Sequence, residues 1–242
     1  MSLQGKCILI TGGAKRVGRS LALTVAQHGA DVIIHYNRSS LDAVEVQKEI
    51  ERMGRKAYLI QSDFSDPNQV IRLIEQANSF ERLFALVNNA SIFEPLNLTN
   101  TTLASWQQHL MVNLTAPFLL SQQFSRMLEP NREGRIVNIL DWRALRPGRD
   151  HLPYTISKSA LAALTKSLAL ELAPRITVNG LALGAILPPS DQVNADDEMI
   201  ARVPAKRWGN LDEIGNALLF LLDRPSYITG EIIHIDGGRH LV

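Results

Sequence analysis

Seven short apolar runs divide the chain. They are KCILI at 6–10, DVIIHY at 31–36, KAYLI at 56–60, LFALVN at 83–88, GRIVNIL at 134–140, ITVNGLAL at 176–183 and EIIHID at 231–236. Each is near-continuously apolar rather than alternating, the pattern of strands covered on both faces. Amphipathic, helix-length segments lie between them. Val17, Leu21, Val25 and His28 recur at helical spacing, and Gly29 follows as a stop signal. Ser39 or Ser40 can cap the next helix, which runs to about Gly54. Further helical patterns cover 67–79, 103–128, 154–173 and 211–222. Strands alternating with helices predict a single α/β domain, doubly wound, with a seven-stranded parallel sheet flanked by helices on both faces.

Composition narrows the functional classes. The 242 residues are 45% hydrophobic, enough for one domain with a substantial core. The 25 basic and 24 acidic residues nearly cancel, and no basic tail or block stands out, so no nucleic-acid partner is expected. Cys7 is the one cysteine and lies inside an apolar run; it reads as a core residue, without an internal disulfide. MSLQGK is too short and polar for a signal peptide, and no apolar stretch approaches the roughly 20 residues that span a bilayer. The expectation is a cytoplasmic protein with no membrane partner and no metal site.

The first strand leads into ITGGAKRVGRS, a glycine-rich turn carrying Lys15, Arg16 and Arg19. Strand, glycine turn and helix in that order suit a pyrophosphate, held by backbone N–H groups and the helix dipole. An ordinary glycine turn is the plain alternative. Dinucleotide folds place an acid at the end of the second strand, about 20 residues on, to bind ribose hydroxyls. Here that strand ends HYNRSS, with no acid between His35 and Ser40 and with Arg38 twenty positions after Gly18. A cation beside hydroxyls suits a 2′-phosphate, which favours NADPH over NADH. A solvated surface arginine is the alternative, weakened because Lys15 and Ser39 can converge on the same place. Asp63, ending the third strand, can accept from an adenine amino group or serve as a helix N-terminal acid ahead of Pro67. The amides of NNAS, Asn88 to Ser91, can hold neighbouring loops and a cofactor ribose, or loop chemistry alone.

YTISK places Tyr154 and Lys158 four residues apart, on one helix face. A lysine near a tyrosine lowers the phenol pKa, so such a tyrosine can exchange protons near neutral pH. The alternative is a core-edge tyrosine above a surface lysine. The strand RIVNIL ends in Asp141, thirteen residues before Tyr154. Asn113 sits in the middle of the apolar pattern MVNLTAPF, where an amide needs a role; a helix-bending hydrogen bond is the structural one.

With TGGAKRVG, SDF, NNAS, Asn113, YTISK and the closing ITGEIIHIDGG, the chain resembles the short-chain dehydrogenase/reductase family over nearly its whole length. The resemblance implies a Rossmann-type sheet, a nicotinamide cofactor and often a homotetramer built through the helices at 103–128 and 154–173. It implies catalytic roles for Asn113, Tyr154 and Lys158, with the lysine also holding the nicotinamide ribose. The cofactor set it implies is Gly12, Lys15, Arg16, Val17, Gly18, His35, Asn37, Arg38, Ser39, Asp63, Phe64, Asn89, Ala90, Ser91, Tyr154, Lys158, Gly184 and Ile186.

Three departures refine that resemblance. Asp141 stands where the family has serine, Arg16 where it has glycine, and Leu183, in NGLALGA, where it has proline. The first two, with HYNRS, NNASIF and DGGRH, resemble the pteridine reductases, including bacterial dihydromonapterin reductases, in which an Asp–Tyr–Lys set replaces Ser–Tyr–Lys. In that subgroup a pterin stacks between the nicotinamide and an aromatic residue, a role that falls on Phe93; a loop anchor is the plainer reading of that ring. Arg16, Ser91, Phe93, Asp141 and Tyr154 are then the expected substrate residues, and 188–208, within a covering segment at about 185–210, is expected to lie over the substrate. The resulting expectation is NADPH-dependent reduction of a pterin ring. A carbonyl reductase of the same fold, acting for example on 3-oxoacyl thioesters, is the second reading, and a non-catalytic NADP-binding sensor the third.

Overall fold

The computed structural model describes residues 3–187, 200–223 and 227–242. Seven strands form one parallel sheet: β1 (Cys7–Ile10), β2 (Asp31–Tyr36), β3 (Ala57–Gln61), β4 (Leu83–Asn88), β5 (Gly134–Asp141), β6 (Ile176–Leu183) and β7 (Ile232–Ile235). Their order is β3-β2-β1-β4-β5-β6-β7. The fold is thus the single Rossmann-type α/β domain expected from the apolar runs. The chain winds outward from β1 to β3, then returns to pair β4 beside β1 and winds the other way. A crevice therefore opens between β1 and β4 at the strand carboxyl ends, where doubly wound folds bind ligands.

Each strand feeds two cores because successive side chains point to opposite faces. Ile8 and Ile10 enter one core with Leu21 and Val25 of α1 (Arg16–Gln27), Val46 and Ile50 of α2 (Ser40–Arg52), and Leu218 of the final long helix. Cys7 and Leu9 enter the other with Val70 and Ile74 of α3 (Pro67–Phe80) and with Leu120 and Phe124. Cys7 is buried, and burial pushes its thiol up to about 12, so it is an inert core residue. Among the described residues, no helix is long and apolar enough to cross a membrane.

The expected helix at 103–128 is not continuous. It consists of α4 (Leu103–Leu110), a π-helical turn at Met111–Thr115, and α5 (Ala116–Met127). Asn113 sits inside the wide turn, which lets its amide reach a loop rather than the helix's own backbone. α6 (Leu152–Leu172) carries Tyr154 and Lys158 near its start, and α7 (Leu211–Asp223) closes the first face.

Candidate active site

At the carboxyl end of β1 the glycine turn is fixed from both sides. Thr11 Oγ1 accepts from the backbone N–H groups of Asn89 at 2.9 Å and Ala90 at 3.0 Å, and Asn89 Nδ2 donates to Thr11 O at 2.9 Å and Gly12 O at 3.2 Å. On the other side Gly12 N donates to His35 Nδ1 at 3.1 Å, while His35 Nε2 lies 3.0 Å from Ser62 O. A ring that accepts at Nδ1 must donate at Nε2, so the imidazole is neutral. Burial lowers its pKa to about 4. A β-carbon at Gly18 would lie 2.1 Å from Gly12 O, so only glycine lets α1 start this close to the turn.

Arg16 has φ of 50°, in the left-handed region. This identifies it, rather than Val17, as the occupant of the family's glycine position. An L-residue there carries about 1–2 kcal/mol of backbone strain, and such strain collects where a side chain is needed for function. Val17 packs partly buried against the core.

The turn borders a groove of about 430 Å³, lined by Gly12, Lys15, Asn37, Arg38, Ser39 and Asp63 among others. Arg38 is exposed, and Lys15 Nζ pairs with Asp42 at 3.0 Å. Ser39 is the N-cap residue of α2, but its hydroxyl makes no capping bond. The two readings of Asp63 separate: Asp66 caps α3 by accepting from Asn68 N, while Asp63 stays on the groove wall and accepts from Ser65 N at 2.9 Å.

Two expected cofactor side chains are turned inward instead. His35 is 2% exposed and spends Nδ1 on the turn and Nε2 on Ser62 O, and Phe64 stacks on it at 4.1 Å. They shape the groove because the turn's N–H at Gly12 needs a buried acceptor. Gly184 is packed against Asp236: a β-carbon there would lie 2.5 Å from Asp236 Cα. Ile186 lines a separate cavity of about 220 Å³ with Arg207, Glu213 and His234. Residues 188–199 of the expected substrate-covering segment lie outside the described residues.

The second cluster lies at the end of β5 and the start of α6. Tyr154 OH donates to Asp141 Oδ2 at 3.1 Å, and Asp141 Oδ1 accepts from Arg143 N at 2.8 Å. Lys158 Nζ donates to Ile139 O at 2.8 Å and lies 5.8 Å from the Tyr154 ring centre. Burial raises the Asp141 carboxyl pKa, opposed chiefly by the Arg143 charge. Burial and then the Asp141 charge push the Tyr154 phenol well above its ordinary value. Burial lowers Lys158 to about 8, with Asp141 pulling the other way. The expectation that Lys158 lowers the phenol pKa is therefore corrected: burial first, and then the Asp141 carboxylate, raise it.

The Asn113 side chain positions the elements around this cluster. It is fully buried; its Oδ1 accepts from Ile92 N at 2.9 Å, and its Nδ2 donates to Ile92 O and Ser157 Oγ, both at 3.0 Å. It thereby ties the loop after β4 to α6. That loop carries Ser91, which is exposed, and Phe93, which is 52% exposed. The Phe93 ring meets Tyr154 edge-on at 4.6 Å and stacks on His151 at 3.9 Å. The sequence reading missed Thr11, Arg143, His151 and Ser157. Thr11 had a signal, a hydroxyl directly before the glycines; the others act through contacts that spacing does not reveal.

A family model described as "Enoyl-(Acyl carrier protein) reductase" matches residues 12–240. A short chain dehydrogenase from Burkholderia cenocepacia, solved in complex with NADP, is 36% identical over 99% of both chains, with a TM-score of 0.92. The chain belongs to the short-chain dehydrogenase/reductase family. Two further relatives of this short-chain family point in different directions. A 3-oxoacyl-[acyl-carrier-protein] reductase from Synechocystis is 32% identical over 98% of both chains. The solved FolM alternative dihydrofolate reductase 1 from Brucella canis, complexed with NADP, is 34% identical, covers 100% of this chain and 97% of its own, and has a TM-score of 0.92.

Proposed function

We propose that this short-chain oxidoreductase uses NADPH to reduce a ring C=N of a pterin. The groove fits the cofactor: the glycine turn runs into the N-terminus of α1, whose N–H groups suit a pyrophosphate, and Arg38 and Lys15 supply cations on the wall where a 2′-phosphate would lie. NADP in solved relatives, including the Burkholderia and Brucella proteins, supports the same assignment. NADPH, when bound, supplies the hydride; the chain supplies the binding and the proton.

One observation carries the substrate class: a half-buried carboxylate, Asp141, takes the hydrogen bond of Tyr154. Ketone reduction builds negative charge on oxygen, which an ionised carboxylate repels. Reduction of C=N builds charge on nitrogen and leaves an N–H, which a carboxylate accepts. The raised Asp141 pKa makes the carboxyl a better-matched acid than the phenol. In the proton step Asp141 enters as the carboxylic acid that its raised pKa favours, with the hydrogen bond to Tyr154 reversed. The Tyr154 hydroxyl gives its proton to the ring nitrogen and takes one from Asp141, and the carboxylate left behind accepts from the product N–H rather than facing an oxyanion. Lys158, held by Ile139 O, then balances the carboxylate charge left behind. Phe93 beside Tyr154 supplies a flat apolar surface for the ring, and Arg16 reaches from the turn to the pterin edge and the cofactor phosphate together.

The full protein is proposed to be a cytoplasmic homotetramer. Phe118, Met127, Ile156 and Leu170, exposed on α5 and α6, support assembly through those helices. The functional reading is tested by following NADPH oxidation. Dihydrobiopterin or dihydromonapterin should be reduced, with little turnover of an acetoacetyl thioester. Efficient ketone reduction with no dihydropterin activity would establish the carbonyl reductase instead, which the Synechocystis relative favours.

A further inference from the structure

Beside Asp141 the surface carries arginines from three separate segments. Trp142 lies between them: the Arg143 guanidinium carbon is 4.9 Å from its ring centre and that of Arg239 is 5.0 Å. Arg239 Nη1 donates to Arg202 O at 2.9 Å, and Arg146 Nη1 donates to Arg239 O at 3.4 Å. The backbone carbonyls thus tie the Arg146, Arg202 and Arg239 segments together.

Their charges are not balanced locally. Arg143 is shared between Asp150 at 3.0 Å and Asp141 at 3.7 Å. Among the described residues, Arg146, Arg202 and Arg239 take part in no ion pair with a carboxylate. Asp236, close by in sequence, is instead bound to His240 Nδ1 at 2.7 Å. Burial and then the charges of Arg202, Arg146 and Arg143 lower the Arg239 pKa, as expected where like charges face one another. Gathering cations around one aromatic ring is unfavourable unless an anion joins them. Planar guanidiniums recognise oxyacids through paired N–H donors.

We propose that Arg239, beside the Trp142 ring, forms with Arg146 and Arg202, whose segments are tied to it, a subsite for an anionic oxyacid group, a carboxylate or phosphate, on the substrate's side chain. Placing that group on a pterin side chain rests on the pterin reading. The geometry of the subsite does not: the Arg143 guanidinium bridges the two places, 3.7 Å from Asp141 and 4.9 Å from the Trp142 ring centre, so the tail of any molecule reacting at Asp141 and Tyr154 can extend across it. The subsite gives selectivity among substrates with the same reacting ring.

The test compares kcat/KM at saturating NADPH for three dihydropterins: dihydrobiopterin with its neutral tail, dihydrofolate with its carboxylates, and a dihydroneopterin phosphate. The native protein is compared with Arg202→Glu, Arg239→Ala and Arg239→Lys. The ratio of charged to neutral substrate should fall about tenfold in Arg202→Glu and Arg239→Ala, mainly through KM. Arg239→Lys should recover part of it, and added salt should erode the native ratio. A fall for dihydrofolate alone identifies a carboxylate; a fall for the phosphate ester alone identifies a phosphate. Equal losses for neutral and charged substrates would show a structural role and overturn the subsite, as would an unchanged ratio. If the neutral dihydropterin is not reduced, the pterin reading fails. The same variants are then compared on acetoacetyl-CoA and its neutral N-acetylcysteamine thioester, where an unchanged ratio overturns the subsite and a fallen one upholds it on another substrate. If neither substrate pair is turned over, both readings fall.

Discussion

The β1 turn and the β5–α6 corner are both polar, yet they are built on opposite rules. At the turn the anchoring polar side chains are spent inside the fold: Thr11 on Asn89 and Ala90, Asn89 on Thr11 and Gly12, His35 on Gly12 and Ser62. The result is a rigid shape whose exposed working groups, such as Arg38, come from its rim. At the corner, burial opposes the charged forms of Asp141, Tyr154 and Lys158 alike, while the three lean on one another. A binding surface can be made of satisfied hydrogen bonds. A proton-transfer site needs groups whose protonation is costly either way, because those are the groups that change state. Disturbing the corner should therefore remove chemistry and spare binding, whereas disturbing the turn should alter binding or stability.

The sharpest break of this contrast is Tyr154→Phe, which keeps the ring and removes the proton. Turnover should fall by about 10²–10⁴-fold, with NADPH affinity, read by fluorescence titration, within a few-fold of native. Comparable turnover in the variant would remove Tyr154 from the reaction.

At the turn the matching disturbance is acid. Protonating His35 Nδ1 would set an N–H against Gly12 N–H. The folded pKa is about 4 against 6.5 for the free group, so the unfolded chain takes up the proton first. Stability from this site is fully present above pH 6.5 and is lost progressively as pH falls to 4. The loss should be on the order of 3 kcal/mol, read from urea midpoints across that range and smaller in His35→Gln. An imidazole that titrates near 6.5 in the folded protein would contradict the buried acceptor.

The rim of the turn should set cofactor choice. Arg38→Ala should lower the preference for NADPH over NADH by about tenfold or more, with what remains less sensitive to salt. An unchanged preference would move 2′-phosphate recognition elsewhere. The smallest effect belongs to Lys158: as pH rises through about 8 it loses its proton, and kcat should decline over that range because the charge that balances Asp141 is gone. A pH-independent kcat from 7 to 9 would argue against that role.

How far the sequence foretold each region follows from the range of the contacts involved. Continuous apolar runs revealed the strands because burial on both faces leaves no alternation, and five of the six helical patterns match the helices closely. Tyr154 and Lys158 were legible because helical geometry fixes residues four apart. The π-helical turn was not legible: Asn113 lies in an unbroken apolar pattern, and its reason for bending the helix is Ile92, in a different loop. His35 looked like a strand-end ligand because its partners, Gly12 and Ser62, come from neighbouring strands. The corner's electrostatics were hidden for the same reason. Spacing brought Lys158 toward Tyr154, but the fold places Asp141 in hydrogen-bond contact with the phenol and Lys158 on Ile139.

The central claim is that Asp141 fits this corner to a ring nitrogen rather than to a ketone oxygen. It is tested most directly by Asp141→Ser, measured as kcat/KM for dihydrobiopterin and for an acetoacetyl thioester in parallel. A serine hydroxyl donates where the carboxylate accepts, so dihydropterin turnover should fall by roughly 10²-fold or more, while thioester turnover holds or rises. Retention of dihydropterin activity in the serine variant, or equal loss on both substrates, would contradict the account.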